Sequence, residues 1–189
     1  MDRHNKSERA ILQQHRIEGS LLQLMETESY ASLSVRKICS NASIPRRTFY
    51  YYFENKEDVL SSLLNRLLLE CNLEAMFDSE DDPAALERGF IRYFQYWHER
   101  RKRELCVLVK NGLAQELMSC GLRWANSEEL WKKSLGDSTQ EAQMIRSVLG
   151  VTCVFYALFY WCEHDFVQTP EQMAKCVTQL LTKPIHKSQ

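Results

Sequence analysis

Apolar residues recur along this chain at the three- and four-residue spacing of amphipathic helices, and no stretch alternates as a half-buried β-strand does. The spacing is clearest just after Ser34, where a short helix is predicted with four apolar positions on one face. These positions are Val35, Ile38, Cys39 and Ala42. Ser34 itself has the hydroxyl side chain of a suitable N-cap.

A second short helix is predicted after the turn at residues 41–43, because Pro45 suits the first turn of a helix. Phe49 and Phe53 share one face of this helix, and its polar residues lie on the opposite face and the flanks. The polar set is Arg46, Arg47, Thr48, Tyr50 and Tyr51. A third helix is predicted after Asn55, with an acidic residue three positions on that completes an approximate capping box.

The segment from residue 30 to residue 56 carries a local excess of positive charge. It contains five basic residues and one acidic residue, whereas the whole chain has a net charge of −1. A helix with exposed arginine and tyrosine side chains suits the major groove of DNA, because guanidinium groups bind guanine edges and tyrosine or lysine binds phosphates. In a helix-turn-helix motif the second helix occupies that groove.

Together these residues resemble the N-terminal domain of the TetR family of transcriptional regulators, over residues 11–64. The matching positions include Leu24, Tyr30, Ser34, Val35, Arg36, Ile38, Ala42, Ile44, Thr48, Phe49, Tyr50, Phe53, Asn55, Lys56, Glu57, Asp58, Val59 and Leu60. The family often has glycine where Ser29 and Ser43 stand in this chain. A serine in a left-handed turn costs about 1 kcal/mol.

The resemblance implies a helix-turn-helix motif from Ser34 to Phe53 and a DNA-binding role for eight side chains. Those expected to read base edges are Arg36, Arg46 and Arg47. Those expected to support them are Thr48 and Tyr51, and those expected to bind phosphates are Tyr50, Tyr52 and Lys56. For Tyr52, partial burial is an equal alternative.

The expected fold class is all-α with about nine helices. Beyond the motif, helices are predicted over residues 6–27, 56–77, 83–103, 105–113, 115–122, 126–135, 139–164 and 169–182. The helix at 115–122 is predicted to stop at Cys120–Gly121. The domains are an N-terminal helix-turn-helix domain at 8–65 and, by the resemblance, a C-terminal effector-binding and dimerisation domain at 66–189.

Residues 147–162 are uncharged, but this run is shorter than the roughly 20 apolar residues of a membrane span. A helix that is apolar all round is buried on both sides. One side is predicted to close a ligand cavity, and the other to meet the same helix of a second subunit. With the last helix it would form the four-helix interface that the family also uses.

The C-terminal half is rich in aromatic residues, which suit either ordinary core or the pocket of a small apolar or aromatic effector. The candidate pocket residues are Tyr93, Trp97 and Tyr156. Cys153 and Cys162 are predicted to be buried packing groups, with a thiol sensor as the alternative.

Several other classes of protein lack support in the sequence. The seven cysteines form no C-x-x-C pair and the five histidines show no metal-ligand spacing, so neither a metal nor a cofactor is expected. No nucleophile–base pair or phosphate loop indicates an enzyme. The polar N-terminal residues lack the apolar run of a signal peptide, and a reducing, cytoplasmic setting is expected.

The leading hypothesis is a homodimeric, sequence-specific repressor that a small effector releases from a near-palindromic DNA operator. In TetR-like proteins the helix beginning at Lys56 connects the two domains, so the resemblance implies that this helix transmits the effector signal. The alternative is a TetR-like scaffold that acts through a protein partner, for example as a co-activator. An all-α enzyme is a third hypothesis.

Overall fold

The computed structural model describes residues 2–72, 83–125 and 140–182, and within these ranges the chain is helical without a strand. The nine α-helices of these ranges are α1 Asp2–Met25, α2 Val35–Asn41, α3 Arg46–Tyr52, α4 Lys56–Cys71, α5 Pro83–Gln95, α6 Lys102–Lys110, α7 Ala114–Ala125, α8 Gln140–Glu163 and α9 Pro170–Thr182. The all-α prediction is confirmed. The helix predicted at 126–135 lies outside the described residues.

The chain divides into two compact units, Met1–Leu67 and Leu68–Gln189. The division falls inside α4, two residues beyond the boundary expected from the sequence.

The first unit is a bundle of α1 to α4 around a largely apolar core. Ile17 and Leu21 of α1, Ile38 of α2 and Phe49 of α3 are 0% exposed, as is Val59 of α4. Each such side chain contributes about 1.5–3 kcal/mol by leaving water. These contacts decide the stability of the unit, because isolated helices as short as α2 and α3 are marginal in water.

One buried carboxylate ties α1 to α4. Glu18 is 1% exposed, and it accepts hydrogen bonds from the Ser62 hydroxyl at 2.6 Å and from Arg66 Nε at 2.7 Å. A buried charge is tolerated only when it is paired and hydrogen-bonded in this way. The network therefore fixes the register of α4 against α1, which an apolar contact alone would leave less specified.

Polar contacts also fix α2 against α1. The Ser20 hydroxyl donates to the Ile38 carbonyl at 2.9 Å, and the Asn41 amide donates to both Ser20 Oγ and Gln23 Oε1 at 3.1 Å. These bonds satisfy a carbonyl near the end of α2 and hold that end of the helix in place.

In the second unit, α5 buries aromatic residues along one face. Its buried residues include Phe90, Tyr93 and Phe94, and Trp97 follows in a π-helical turn at Tyr96–Arg100. Helix α5 packs along α9, and α7 packs along α8.

Helix α7 continues through Gly121 to Ala125, so the predicted stop at Cys120–Gly121 is wrong. A Cβ atom at Gly121 would lie 2.4 Å from Cε2 of Phe155 on α8. The glycine therefore allows close approach of the two helices and does not end one of them. Gly112, by contrast, has φ of +72° and does end α6.

Helix α8 has a buried face and an apolar exposed face. Val154, Phe155 and Leu158 are at most 3% exposed, whereas Tyr156 is 64% exposed. The assignment of Tyr156 to an internal effector pocket is therefore wrong. Because this stretch of α8 has no charged residues, its sequence does not show which face of the helix is exposed. The hydroxyl group of Tyr156 can hydrogen-bond to water, so the side chain tolerates exposure.

Candidate DNA-binding site

The motif begins as the sequence predicted. The Ser34 side chain accepts from the Lys37 backbone N–H at 3.4 Å, which makes Ser34 the N-cap of α2. Ile38, Cys39 and Ala42 are buried, and Val35 is half-buried. The predicted apolar face is therefore the face that α2 turns to the core.

In the turn between α2 and α3, one residue adopts the left-handed backbone conformation that commonly ends a helix. Ser43 has φ of +52°, and the Ile44 N–H donates to the Cys39 carbonyl at 3.0 Å. This Schellman arrangement satisfies the end of α2 and favours glycine at the position of Ser43. Ser29 is extended, with φ of −68° and ψ of 141°, so the serine at that position causes no strain.

Helix α3 presents its polar residues to solvent because Phe49 and Phe53 face the core, at 0% and 7% exposure. The exposed residues on this surface are Arg46, Arg47, Tyr50 and Tyr51, with Arg36 exposed on α2. Thr48 and Tyr52 are partly exposed. The partial burial of Tyr52 agrees with the alternative left open for it. We call the five exposed side chains the α2–α3 cationic face.

Two contacts organise the face itself. Arg46 Nη2 donates to the Tyr50 hydroxyl at 3.1 Å, and this hydrogen bond raises the pKa of the Arg46 guanidinium. Tyr51 is 80% exposed, and its ring meets that of Tyr52 edge-on at 4.8 Å between centroids. Arg47 is exposed, and its guanidinium group carries five N–H donors.

Lys56 was predicted to bind a phosphate, but in the structure its side chain forms hydrogen bonds within the protein. Its ammonium donates to the carbonyls of Tyr30, Ala31 and Leu33 at 2.9, 3.2 and 3.1 Å. It also lies 4.6 Å from the centre of the Tyr30 ring. An ammonium has three donors, and these carbonyls use all three. Lys56 therefore holds the turn before α2 against the start of α4, and a phosphate would have to displace one of these bonds.

The start of α4 is capped as predicted. Asn55 Oδ1 accepts from the Asp58 N–H at 2.8 Å, and Asp58 Oδ2 accepts from the Glu54 N–H at 3.0 Å. A surface ion pair between Lys37 and Glu28, which the sequence did not indicate, joins α2 to the segment before it. Its partners are nine positions apart on different elements, where helical spacing rules do not apply.

A second candidate site lies in the other unit, at Tyr93 and Trp97. Their side chains are 1% and 0% exposed, and neither the Tyr93 hydroxyl nor the Trp97 indole N–H has a hydrogen-bond partner. The Trp97 indole lies close to the Tyr93 hydroxyl, but the contact falls short of hydrogen-bond geometry. Burial raises the pKa of Tyr93 well above its usual range, so the phenol keeps its proton. Two buried donors are thus available side by side.

We also searched residues 2–72, 83–125 and 140–182 for a metal site and for a membrane-spanning helix. There, no three side chains of His, Cys, Asp or Glu cluster as a metal site would require. In the same ranges no helix combines the length and hydropathy needed to cross a bilayer.

The α2–turn–α3 geometry, with one face buried and the other cationic, defines a helix-turn-helix protein. Residues 21–63 match the family model described as bacterial regulatory proteins, tetR family. This match confirms the predicted resemblance to the TetR family over the helix-turn-helix part of the chain.

Curated relatives match part of the chain. The transcriptional regulator EthR of Mycolicibacterium smegmatis is 39% identical over 77 residues, covering 38% of this chain and 35% of EthR. DhaS of Lactococcus lactis, a transcriptional activator of the dhaKLM operon, is 39% identical over 105 residues and 54% of each chain. The matches therefore span about a third of EthR and about half of DhaS.

Solved structures share the whole fold at low identity. A TetR-family regulator from Syntrophomonas wolfei has a TM-score of 0.66 at 17% identity, over 89% of this chain and 92% of its own. FadR of Bacillus subtilis, solved with stearoyl-CoA, has a TM-score of 0.63 at 19% identity, over 91% of this chain and 99% of its own.

Replacing Lys56 with methionine tests whether its hydrogen bonds hold the turn before α2. Lys56→Met keeps the length of the side chain but removes three charge-assisted hydrogen bonds, so local stability should fall by about 1–2 kcal/mol. Amide exchange in a peptide spanning residues 29–35, read by mass spectrometry, should become roughly tenfold faster. Lys37→Met, which removes only the surface pair with Glu28, should change exchange far less. Unchanged exchange in Lys56→Met would contradict the structural role.

Proposed function

We propose that this protein is a transcriptional regulator that binds a near-palindromic DNA operator as a homodimer. The observation that carries the proposal is the α2–α3 cationic face. Its arginine and tyrosine side chains are exposed on a short helix whose opposite side is fixed in the core. This is the surface chemistry that phosphate backbones and guanine edges require. Its work would take place in the cytoplasm, on chromosomal DNA.

The three arginines of this face differ in whether another side chain holds them in place. Arg47 and Arg36 are free to reach base edges as bidentate donors. Arg46 is pre-oriented by Tyr50, so these two side chains are proposed to approach the DNA as one unit. Lys56 supports the face from behind by holding the Tyr30–Leu33 turn, and any phosphate contact it makes is secondary.

The dimer interface is proposed on the exposed apolar side of α8 and α9. Ile145, Leu149, Tyr156 and Tyr160 of α8 are 53–64% exposed, and Leu180 of α9 is 59% exposed. Helices α8 and α9 are in contact, and the pKa of the Cys153 thiol on α8 is raised by burial and, to a smaller extent, by Cys176 of α9. Contiguous apolar surface of this kind marks an association site. Covering it with its symmetry copy buries both helices on two sides.

An effector is proposed to bind beside Tyr93 and Trp97. Both groups donate, so the ligand should present a hydrogen-bond acceptor on an otherwise apolar or aromatic body. Tyr93 interacts electrostatically with Cys71, the last residue of α4. Arg101, which directly follows the π-helical turn of Trp97, pairs with Glu70 of α4. A ligand here would thus bias α4, the helix that begins at Lys56.

Activation is the second candidate mode, because the relative DhaS is named an activator and its match extends beyond the motif. In that case the protein would act through contact with a protein partner, for example as a co-activator, and not through release from DNA. Transcription in vitro from a template carrying the selected operator separates the modes. A repressor lowers transcript from an overlapping promoter, whereas an activator raises it.

Arg46→Ala and Arg47→Ala should reduce operator discrimination. An operator is first selected from random duplexes with the parent protein, and affinity is then measured by fluorescence anisotropy against a shuffled duplex. Loss of one bidentate base contact should cost about 1–3 kcal/mol for the operator and much less for the shuffled DNA. Lys110→Ala, which removes one positive charge from exposed α6, is the control and should preserve discrimination. Equal discrimination by all three variants would contradict the assignment.

Tyr156→Asp should convert the dimer to a monomer. The substitution places a charge within the apolar stripe, where it would be buried without a partner. Sedimentation equilibrium should report the monomer mass for the variant and twice that mass for the parent. Val167→Asp is the matched control, because Val167 is 79% exposed but lies on the loop before α9. A dimeric Tyr156→Asp would place the interface elsewhere.

Trp97→Phe should weaken binding of acceptor-bearing ligands selectively. The probes are aromatic ketones and alkylbenzenes of matched size, with affinity read from intrinsic fluorescence quenching or calorimetry. The parent should favour the ketone by about tenfold for each buried hydrogen bond it forms, and Trp97→Phe should lose the share that the indole contributes while the Tyr93 hydroxyl remains. Tyr156→Phe removes an exposed hydroxyl and should retain the full preference. A parent that binds both probes equally would contradict the proposed ligand chemistry.

A further inference from the structure

Two cysteines from distant parts of the sequence lie in contact in the second unit. Cys106 of α6 and Cys162 of α8 are 56 positions apart, and their sulfur atoms are 3.8 Å apart as free thiols. A disulfide requires about 2.05 Å between the sulfurs, so the two thiols are in van der Waals contact and close to bonding distance. We propose that Cys106 and Cys162 form an oxidisable dithiol, which peroxide converts to an intramolecular disulfide between α6 and α8.

The two thiols differ in their surroundings, which suggests an order of events. Cys106 is partly exposed, whereas Cys162 is 9% exposed. Burial, together with the neighbouring Cys106, raises the pKa of Cys162 to about 12, while Lys102 acts in the opposite direction. Cys106 is therefore the sulfur that meets an oxidant, and Cys162 is the thiol that resolves the product. The first reaction requires the thiolate and access to solvent.

The chemistry is balanced by the peroxide alone. Cys106 loses its proton and attacks one peroxide oxygen as the thiolate; the O–O bond breaks, Cys106 becomes a sulfenic acid, and the departing hydroxide takes up the released proton and leaves as water. The Cys162 sulfur then attacks the sulfenic sulfur, the S–O bond breaks, and a second water leaves with the Cys162 proton. Two thiols are oxidised and one peroxide is reduced. Dithiothreitol reverses the bond by thiol exchange.

The remaining described cysteines provide internal comparisons. Cys39 and Cys120 are buried, and burial raises the pKa of each thiol. Cys176 is exposed and near Cys153, on the surface proposed for the dimer. The Cys106–Cys162 pair joins α6 to α8, whereas Cys176 lies on α9, so Cys176 is an exposed thiol outside the pair.

The test is oxidation of the native full-length protein with hydrogen peroxide. After acid quenching, thiols are alkylated in urea and the protein is digested without reduction. Two fewer thiols should be alkylated than in the untreated protein, with a Cys106–Cys162 cross-linked peptide and an intact mass lower by about 2 Da before alkylation. Dithiothreitol should restore both thiols. Cys106→Ser and Cys162→Ser should each abolish the cross-link, and Cys176→Ser should retain it.

Two results would overturn the proposal. One is oxidation of Cys106 to sulfinic or sulfonic acid while Cys162 remains a thiol. The other is a cross-link that forms only after urea is added, because the folded arrangement would then not be its cause. Both results come from the parent protein, so they stand even if a serine variant fails to fold.

Discussion

The structure depends most on the anchoring of α3 by Phe49 and Phe53. A helix of seven residues gains too few hydrogen bonds to be stable alone, so it forms because these two rings enter the core of the first unit. The same anchoring fixes the rotation of the helix. Arg46, Arg47 and Tyr51 are exposed because the periodicity of the helix leaves them no other direction.

The rest of the first unit supports that anchor with polar contacts that have defined geometry. Glu18 fixes α1 to α4 through Ser62 and Arg66, and Lys56 holds the Tyr30–Leu33 turn through three carbonyls. Such networks contribute less to stability than the apolar core does. They specify one arrangement among the many that apolar packing would allow, and reading DNA depends on positions fixed in that way.

Sequence patterns over a few neighbouring residues predicted the motif well. They did not predict the contacts between residues that are far apart in the sequence. The N-cap Ser34, the left-handed Ser43 and the α4 cap at Asn55 all depend on neighbours within five positions, and each is where the sequence placed it. The partners of Lys56 lie 23 to 26 positions away, and no spacing rule connects them. Tyr156 was misplaced because an uncharged helix gives no sign of which face is exposed. The function of Gly121 became visible only with the Phe155 ring beside it.

We propose that the exposed face of α3 reads duplex DNA from two symmetry-related subunits. Hydroxyl-radical footprinting of the parent protein on a duplex selected from a random pool tests this proposal directly. We expect two protected patches related by a two-fold axis, with centres about 34–36 Å or a multiple of that distance apart along the duplex. Selection that enriches no common sequence, or a footprint with no paired half-sites, would contradict it.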